Sequence, residues 1–281
     1  MDLLINNKKY IYQKYLNSGG YGKSFLYRYN QNYYVIKFFY PFLNHNNYSN
    51  FKHEMIIEES LIEQMNYICD KSYLCYIESF YITPKEQPLY DNIYINMKTN
   101  RQLFRSNIYA IITLYVEGDD LYDYLKKVKK GTYNDDINFC NFMIHIIDLF
   151  HPKNIFHRDI KLENIIRKIN GEYVLIDFGL SCINICDDLE GTLEYYPPWN
   201  MNKKVLTKTE LKENDIFSFM VTLYFLSNGT YPFNKTKTIL YDSYKLSNSG
   251  YINLDNFINI IFSNKKFEIN YIKNLYYKLF K

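Results

Sequence analysis

Apolar positions in the first third of the chain fall into short runs with strand character. Residues 10–16, 25–29 and 33–39 are aromatic and β-branched stretches, separated by a glycine cluster at 19–22 and by Asn30-Gln31-Asn32. Turn residues between strand-forming runs predict a three-stranded meander. Over residues 50–65 the period lengthens, and Met55, Ile57, Leu61, Ile62 and Met65 share one helical stripe. Strand character returns at 73–81 and 108–116. Between these, residues 83–107 are polar, carry Pro84 and Pro88, and read as an inserted loop. After Gly118 helical spacing dominates at 121–130, 138–150 and 215–227, with two weaker candidates near the end. The pattern predicts an α+β protein: an antiparallel β-sheet N-lobe with one helix, then a mostly helical C-lobe.

No internal repeat and no Gly/Ser-rich linker interrupts the 281 residues, so a single domain over 1–281 is expected. Its apolar fraction of 47% fills a sizeable core. The 33 basic and 30 acidic side chains leave a net charge of +3, which gives no field to hold nucleic acid or an anionic membrane. Polar side chains interrupt every apolar run before membrane-spanning length, and residues 1–9 lack the apolar stretch of a signal peptide. Those features predict a cytoplasmic protein with neither nucleic-acid nor membrane partners. Five scattered cysteines predict reduced thiols, and Cys182 with Cys186 lacks the second ligand pair of a zinc site. Lysine outnumbers arginine 28 to 5, a bias of AT-rich genomes that bears on codons and not on function.

Chemistry enters at three places. Leu16-Asn17-Ser18-Gly19-Gly20-Tyr21-Gly22-Lys23 is a turn whose glycines let backbone approach a phosphate chain, although such turns commonly serve as turns and nothing more. Lys37 follows inside an apolar strand, where a cation can be aimed into a cleft. The specific signal comes later. His157-Arg158-Asp159-Ile160-Lys161-Leu162-Glu163-Asn164 is followed 13 residues on by Asp177-Phe178-Gly179.

These two strings resemble the catalytic loop and metal-binding triplet of eukaryotic-type protein kinases. The resemblance runs over roughly residues 10–235 and implies a bilobal kinase fold, with an N-lobe over about 1–115, a hinge at about 114–118 and a C-lobe over about 119–281. It implies Mg-ATP as cofactor and phosphate donor, a protein as substrate, and serine or threonine as acceptor, because Lys161 and Thr192 match the serine/threonine branch. By the same resemblance Asp159 is the catalytic base, Lys161 neutralises charge on the γ-phosphate, Thr192 bonds both, and Asn164 with Asp177 holds Mg2+. Leu16, Gly19 and Gly22 cover the nucleotide. Thr113 takes the gatekeeper position, Tyr115 and Val116 the hinge, and Asp120 the place that meets ribose. Lys37 needs a carboxylate partner, Glu58 by its spacing to Leu61, Ile62 and Met65, with Glu54 the alternative. Asp215-Ile216-Phe217-Ser218 is similar to the start of the long buried helix whose aspartate ties down the catalytic loop. Asp188 stands where many kinases carry a phosphorylated threonine, so its fixed carboxylate is a candidate partner for Arg158.

The sequence also departs from the family. Asn17 replaces the first glycine of the phosphate loop, and Ser24 replaces the valine over adenine. Pro197-Pro198-Trp199 stands for Ala-Pro-Glu, and no arginine occurs after Arg167 to pair with the missing glutamate. Apolar packing by Trp199 is the expected substitute, since a buried ion pair can be exchanged for apolar contacts at little cost. Two other readings stay open: a pseudokinase scaffold, and a kinase of small molecules.

Overall fold

The first sheet grows from alternation. In β1 (Leu3–Ile5) Leu3 and Ile5 turn inward while Leu4 is exposed, the period of two that a half-buried strand requires. The computed structural model describes residues 2–18, 22–40, 76–97, 106–184, 191–233, 248–265 and 267–281. Within them β2 (Lys8–Ser18), β3 (Gly22–Tyr29), β4 (Asn32–Phe39), β5 (Tyr76–Ile82) and β6 (Ile108–Leu114) join β1 in one antiparallel sheet, ordered β1-β2-β3-β4-β6-β5. The expected helix over 50–65, with Glu54 and Glu58, lies outside the described residues. So do Gly19 and Asp188.

The sheet packs through Tyr10, Phe25, Tyr27, Ile36, Phe38 and Ile112. Rings meet at edges, as Phe25 and Phe38 do with centroids 5.9 Å apart, the geometry their quadrupoles favour. Gly22 pairs with Phe39, and a Cβ there would come 2.2 Å from the Phe38 carbonyl oxygen. Close strand packing alone therefore demands glycine at this position.

One expectation fails here. The stretch read as a loop over 83–107 contains α1 (Leu89–Asn96), which buries Tyr90 and Ile93, with Met97 after its end, against the sheet. Positions 90, 93 and 97 form a helical stripe too short to outweigh the polar residues around it. Pro88 sits at the N-cap, where its missing N–H costs no helical hydrogen bond. The Tyr90 hydroxyl donates to the Ser106 carbonyl at 2.8 Å.

The chain divides into two compact units, Met1–Val116 and Glu117–Lys281. The second begins with β7 (Gly118–Asp120), α2 (Leu121–Val128) and α3 (Tyr133–Phe150). It continues with β8 (Ile155–Phe156), β9 (Ile165–Lys168), β10 (Tyr173–Leu175) and β11 (Cys182–Ile183), then α4 (Lys208–Asn228), α5 (Ile252–Asn264) and α6 (Ile269–Phe280). Short antiparallel sheets, β10-β9-β7 and β11-β8, hold the loops. Both long helices start earlier than the apolar stripe predicts. Thr132 with Asp135, and Thr207 with Glu210, form capping boxes that satisfy the first free N–H groups and extend each helix by polar turns. Apolar side chains surround α4: Ile216, Phe217, Phe219, Met220 and Val221 are all buried, so this helix is the centre of its unit.

Trp199 packs as its sequence position suggests. Its ring stacks on Phe267 with centroids 5.5 Å apart and meets Phe217 edge-on at 5.6 Å. Cys182 is disulfide-bonded, against the expectation of reduced thiols, and its partner lies outside the described residues. Among the described residues no helix is long and apolar enough to cross a membrane.

Candidate active site

Residues 157–164 connect β8 to β9 and carry little regular structure of their own beyond a 3-10 turn at Leu162–Asn164. Their backbone needs outside partners, because buried N–H groups must be satisfied. Asp215, on the third turn of α4, supplies them. Its Oδ2 accepts the His157 N–H and its Oδ1 the Arg158 N–H, each at 2.9 Å. Arg158 itself adopts a left-handed backbone, with φ of +69°. The His157 ring donates from Nε2 to the Ile176 carbonyl at 3.2 Å and accepts the Asp159 N–H at Nδ1 at 3.4 Å. Burial pushes its imidazolium pKa down, so the neutral tautomer suits both bonds.

This scaffold presents Asp159, whose carboxylate is nearly enclosed by polar partners. Lys161 Nζ donates to Oδ2 at 2.6 Å and Thr192 Oγ1 to Oδ1 at 2.6 Å. Lys161 also reaches Thr192 Oγ1 at 3.0 Å. Asn164 Nδ2 donates to the Asp159 carbonyl at 2.8 Å and to Oδ2 at 2.9 Å. Four residues predicted from the sequence thus meet in one place. Charge-assisted bonds of this length hold a carboxylate in one orientation. Gly191, just before Thr192, has φ of +132°, and a Cβ on it would come 2.5 Å from the Arg158 carbonyl oxygen. Glycine is required there for the approach of two loops.

Asp177 also has a left-handed backbone, φ +61°, and its Oδ1 accepts the Gly179 N–H at 3.4 Å. Phe178 is fully buried, edge-on to His157 at 4.9 Å and to Phe150 at 5.9 Å. Among the described residues no group of three or more His, Cys, Asp or Glu side chains forms a ready metal cage. Mg2+ binds through one or two carboxylates plus substrate phosphates, and Asp177 offers one such carboxylate. Asn164 fits as well: with its Nδ2 turned to Asp159, the hard amide oxygen is the end left for a cation.

In the first unit Lys37 lies on β4 between Ser24 and Ile111 in register, with Nζ 5.3 Å from the Phe39 ring centre. Thr113 is buried on β6 opposite Val35. Leu16, on β2, is half-buried. The Tyr115 N–H is spent on the Tyr33 carbonyl at 3.0 Å and is not available to a ligand, while Val116 ends this unit. In the second unit Asp120 caps α2, with Oδ1 accepting the Asp123 N–H at 2.8 Å, and burial pushes its carboxyl pKa up.

Two residues escaped the sequence reading. His151, at the end of α3, places Nε2 3.3 Å from Asp215 Oδ2 and is buried. Ser181 is fully buried and donates from Oγ to the His157 carbonyl at 3.2 Å. Neither belongs to a motif, and both partners are distant in the chain.

An antiparallel-sheet unit followed by a helical unit that builds this loop around Asp159 defines a protein-kinase fold. The chain belongs to the protein kinase family: the family model described as the protein kinase domain matches residues 10–271. Over 141 residues it is 33% identical to CBL-interacting serine/threonine-protein kinase 2 of Arabidopsis thaliana, covering 47% of this chain and 29% of that protein. It is 32% identical over 129 residues to human NUAK family SNF1-like kinase 2, covering 44% of this chain and 20% of the relative. A probable serine/threonine-protein kinase KIN1 homolog of Enterocytozoon bieneusi is 34% identical over 132 residues, 45% of this chain and 21% of its own. The matched stretches thus span less than a third of the length of these relatives.

Proposed function

We propose that this protein transfers the γ-phosphate of Mg-ATP to serine and threonine hydroxyls of other proteins. The observation that carries the reading is the Asp159 carboxylate fixed by Lys161, Thr192 and Asn164. Phosphoryl transfer has a loose transition state with charge spread over oxygens, so catalysis is mainly positioning and electrostatics. In the proposed reaction Asp159 orients the acceptor hydroxyl and takes its proton as the oxygen bonds to the γ-phosphorus and ADP departs. Lys161 offsets the charge gathering on the transferred group. When bound, Mg2+ neutralises phosphate oxygens, with Asn164 and Asp177 as its protein ligands. Lys37 holds the α- and β-phosphates and takes Glu58, or in its stead Glu54, as carboxylate partner, Leu16, Gly19 and Gly22 cover the nucleotide, Thr113 and Val116 border adenine, and Asp120 meets ribose.

The acceptor class follows from Thr192 bridging Lys161 and Asp159, and from relatives described as serine/threonine kinases. Purified protein incubated with labelled Mg-ATP and a mixed protein acceptor should yield phosphoserine and phosphothreonine, and an Asp159→Asn control should not. Nucleotide binding without transfer by the wild type would instead establish a pseudokinase.

A further inference from the structure

The peptide between His157 and Arg158 is gripped from both sides. Asp215 takes the N–H on its Arg158 side, and the Ser181 hydroxyl donates to its His157 carbonyl at 3.2 Å. Ser181 is anchored in turn by its own N–H, which donates to the Phe178 carbonyl at 3.0 Å, and it has no exposed surface. This peptide leads into Arg158 at φ +69°, a conformation that costs a non-glycine residue energy unless the surroundings over-determine it. Asp159 follows immediately, so the tilt of this peptide plane sets the direction from which the catalytic carboxylate leaves the backbone.

We infer that Ser181 is a positioning residue: its hydroxyl fixes the His157–Arg158 peptide and, through it, the orientation of Asp159. It also links the Asp177-Phe178-Gly179 turn to the base, so the two halves of the loop chemistry move together. The inference rests on the proposed phosphotransfer. A hydroxyl is the one serine feature needed: an alanine keeps the fit but leaves the carbonyl without this donor. Because Ser181 is buried, its hydroxyl acts as a donor here and is not presented for phosphorylation.

The test compares wild type, Ser181→Ala and Ser181→Cys in steady-state transfer with thermal melting alongside. Removing one net hydrogen bond from a transition-state-aligning group should lower kcat by about three- to tenfold. KM for ATP should stay unchanged, since Asp159 makes no nucleotide contact and the Ser181 N–H that holds the Phe178 carbonyl survives both substitutions. Ser181→Cys, of similar shape but with a weak donor, should fall between alanine and wild type. Wild-type kcat in Ser181→Ala, or equal losses in kcat and in ATP affinity, would overturn the inference. If Ser181→Ala does not fold, Ser181→Cys decides on the same terms, a lowered kcat at unchanged KM for ATP supporting the inference and any other result overturning it, and failure of both to fold marks a merely structural serine and also overturns it. A wild type inactive on every acceptor refutes the proposed function itself, which separates the two failures.

Discussion

Asp215 holds Arg158 across 57 positions of sequence, its Oδ1 accepting the Arg158 N–H at 2.9 Å. The bond keeps a left-handed arginine next to Asp159, and the same carboxylate serves His157 and His151. Asp215→Ala leaves the buried His157 N–H and the part-buried Arg158 N–H unsatisfied, the first costing about 1–3 kcal/mol and the second somewhat less. Unfolding free energy in urea should drop by about 2–5 kcal/mol and transfer should be nearly lost. An undiminished urea midpoint would mean that the loop does not depend on this carboxylate.

Asp159→Asn keeps the shape and hydrogen-bonding length of the side chain but removes its basicity. Rates should fall by about a hundred- to ten-thousand-fold, the usual share of general base catalysis, while melting temperature barely moves. Lys37→Met should be equally inactive with the fold intact, because Lys37 is only half-buried on β4 and methionine keeps the length of its stem. Circular dichroism and labelled-ATP transfer on the same samples check both. Full activity in either variant contradicts its proposed role.

Trp199 replaces an ion pair with stacking, on Phe267 and edge-on to Phe217. Trp199→Ala opens a cavity among these rings and should cost about 2–4 kcal/mol of stability, less than a fully buried tryptophan would. Trp199→Phe should recover more than half of that. A melting curve for Trp199→Ala indistinguishable from wild type would show that Phe217 and Phe267 close the gap alone.

Asp136, on the first turn of α3, is fully buried with neither carboxylate oxygen hydrogen-bonded. Burial, then the neighbouring Asp135 and Asp255 charges, pushes its pKa up to about 8, with Lys130 opposing. In the unfolded chain this aspartate releases its proton near pH 4, roughly its ordinary value. The folded form keeps the proton until about pH 8, so stability is greatest below pH 4 as far as this group is concerned and declines as pH rises to 8. Asp136→Asn should remove that decline. Denaturant melts at pH 6 and pH 8 should differ for wild type and converge for the variant, and a wild-type curve that rises over this interval would contradict the assignment.

The two strings at 157–164 and 177–179 were sufficient to suggest the family and to gather Asp159, Lys161 and Asn164, and the stretch from Gly191 added Thr192, since phosphoryl transfer fixes both residue type and spacing. Strands β2 to β6 were visible for a similar reason: period-two patterning is local. The helix at Leu89–Asn96 was not, because an eight-residue stripe with Tyr90 and Ile93 inward is indistinguishable from a polar loop until a sheet is there to bury it. The early starts of α3 and α4 were written in Thr132–Asp135 and Thr207–Glu210, a capping signal outside the apolar period. Only tertiary structure decided what grips the catalytic loop. Asp215 appeared in a motif, but the parts played by His151 and Ser181 depend on chain segments meeting across 64 and 24 positions. A backbone carbonyl leaves no mark in sequence, so which hydroxyl satisfies it is settled only when the core has closed around both.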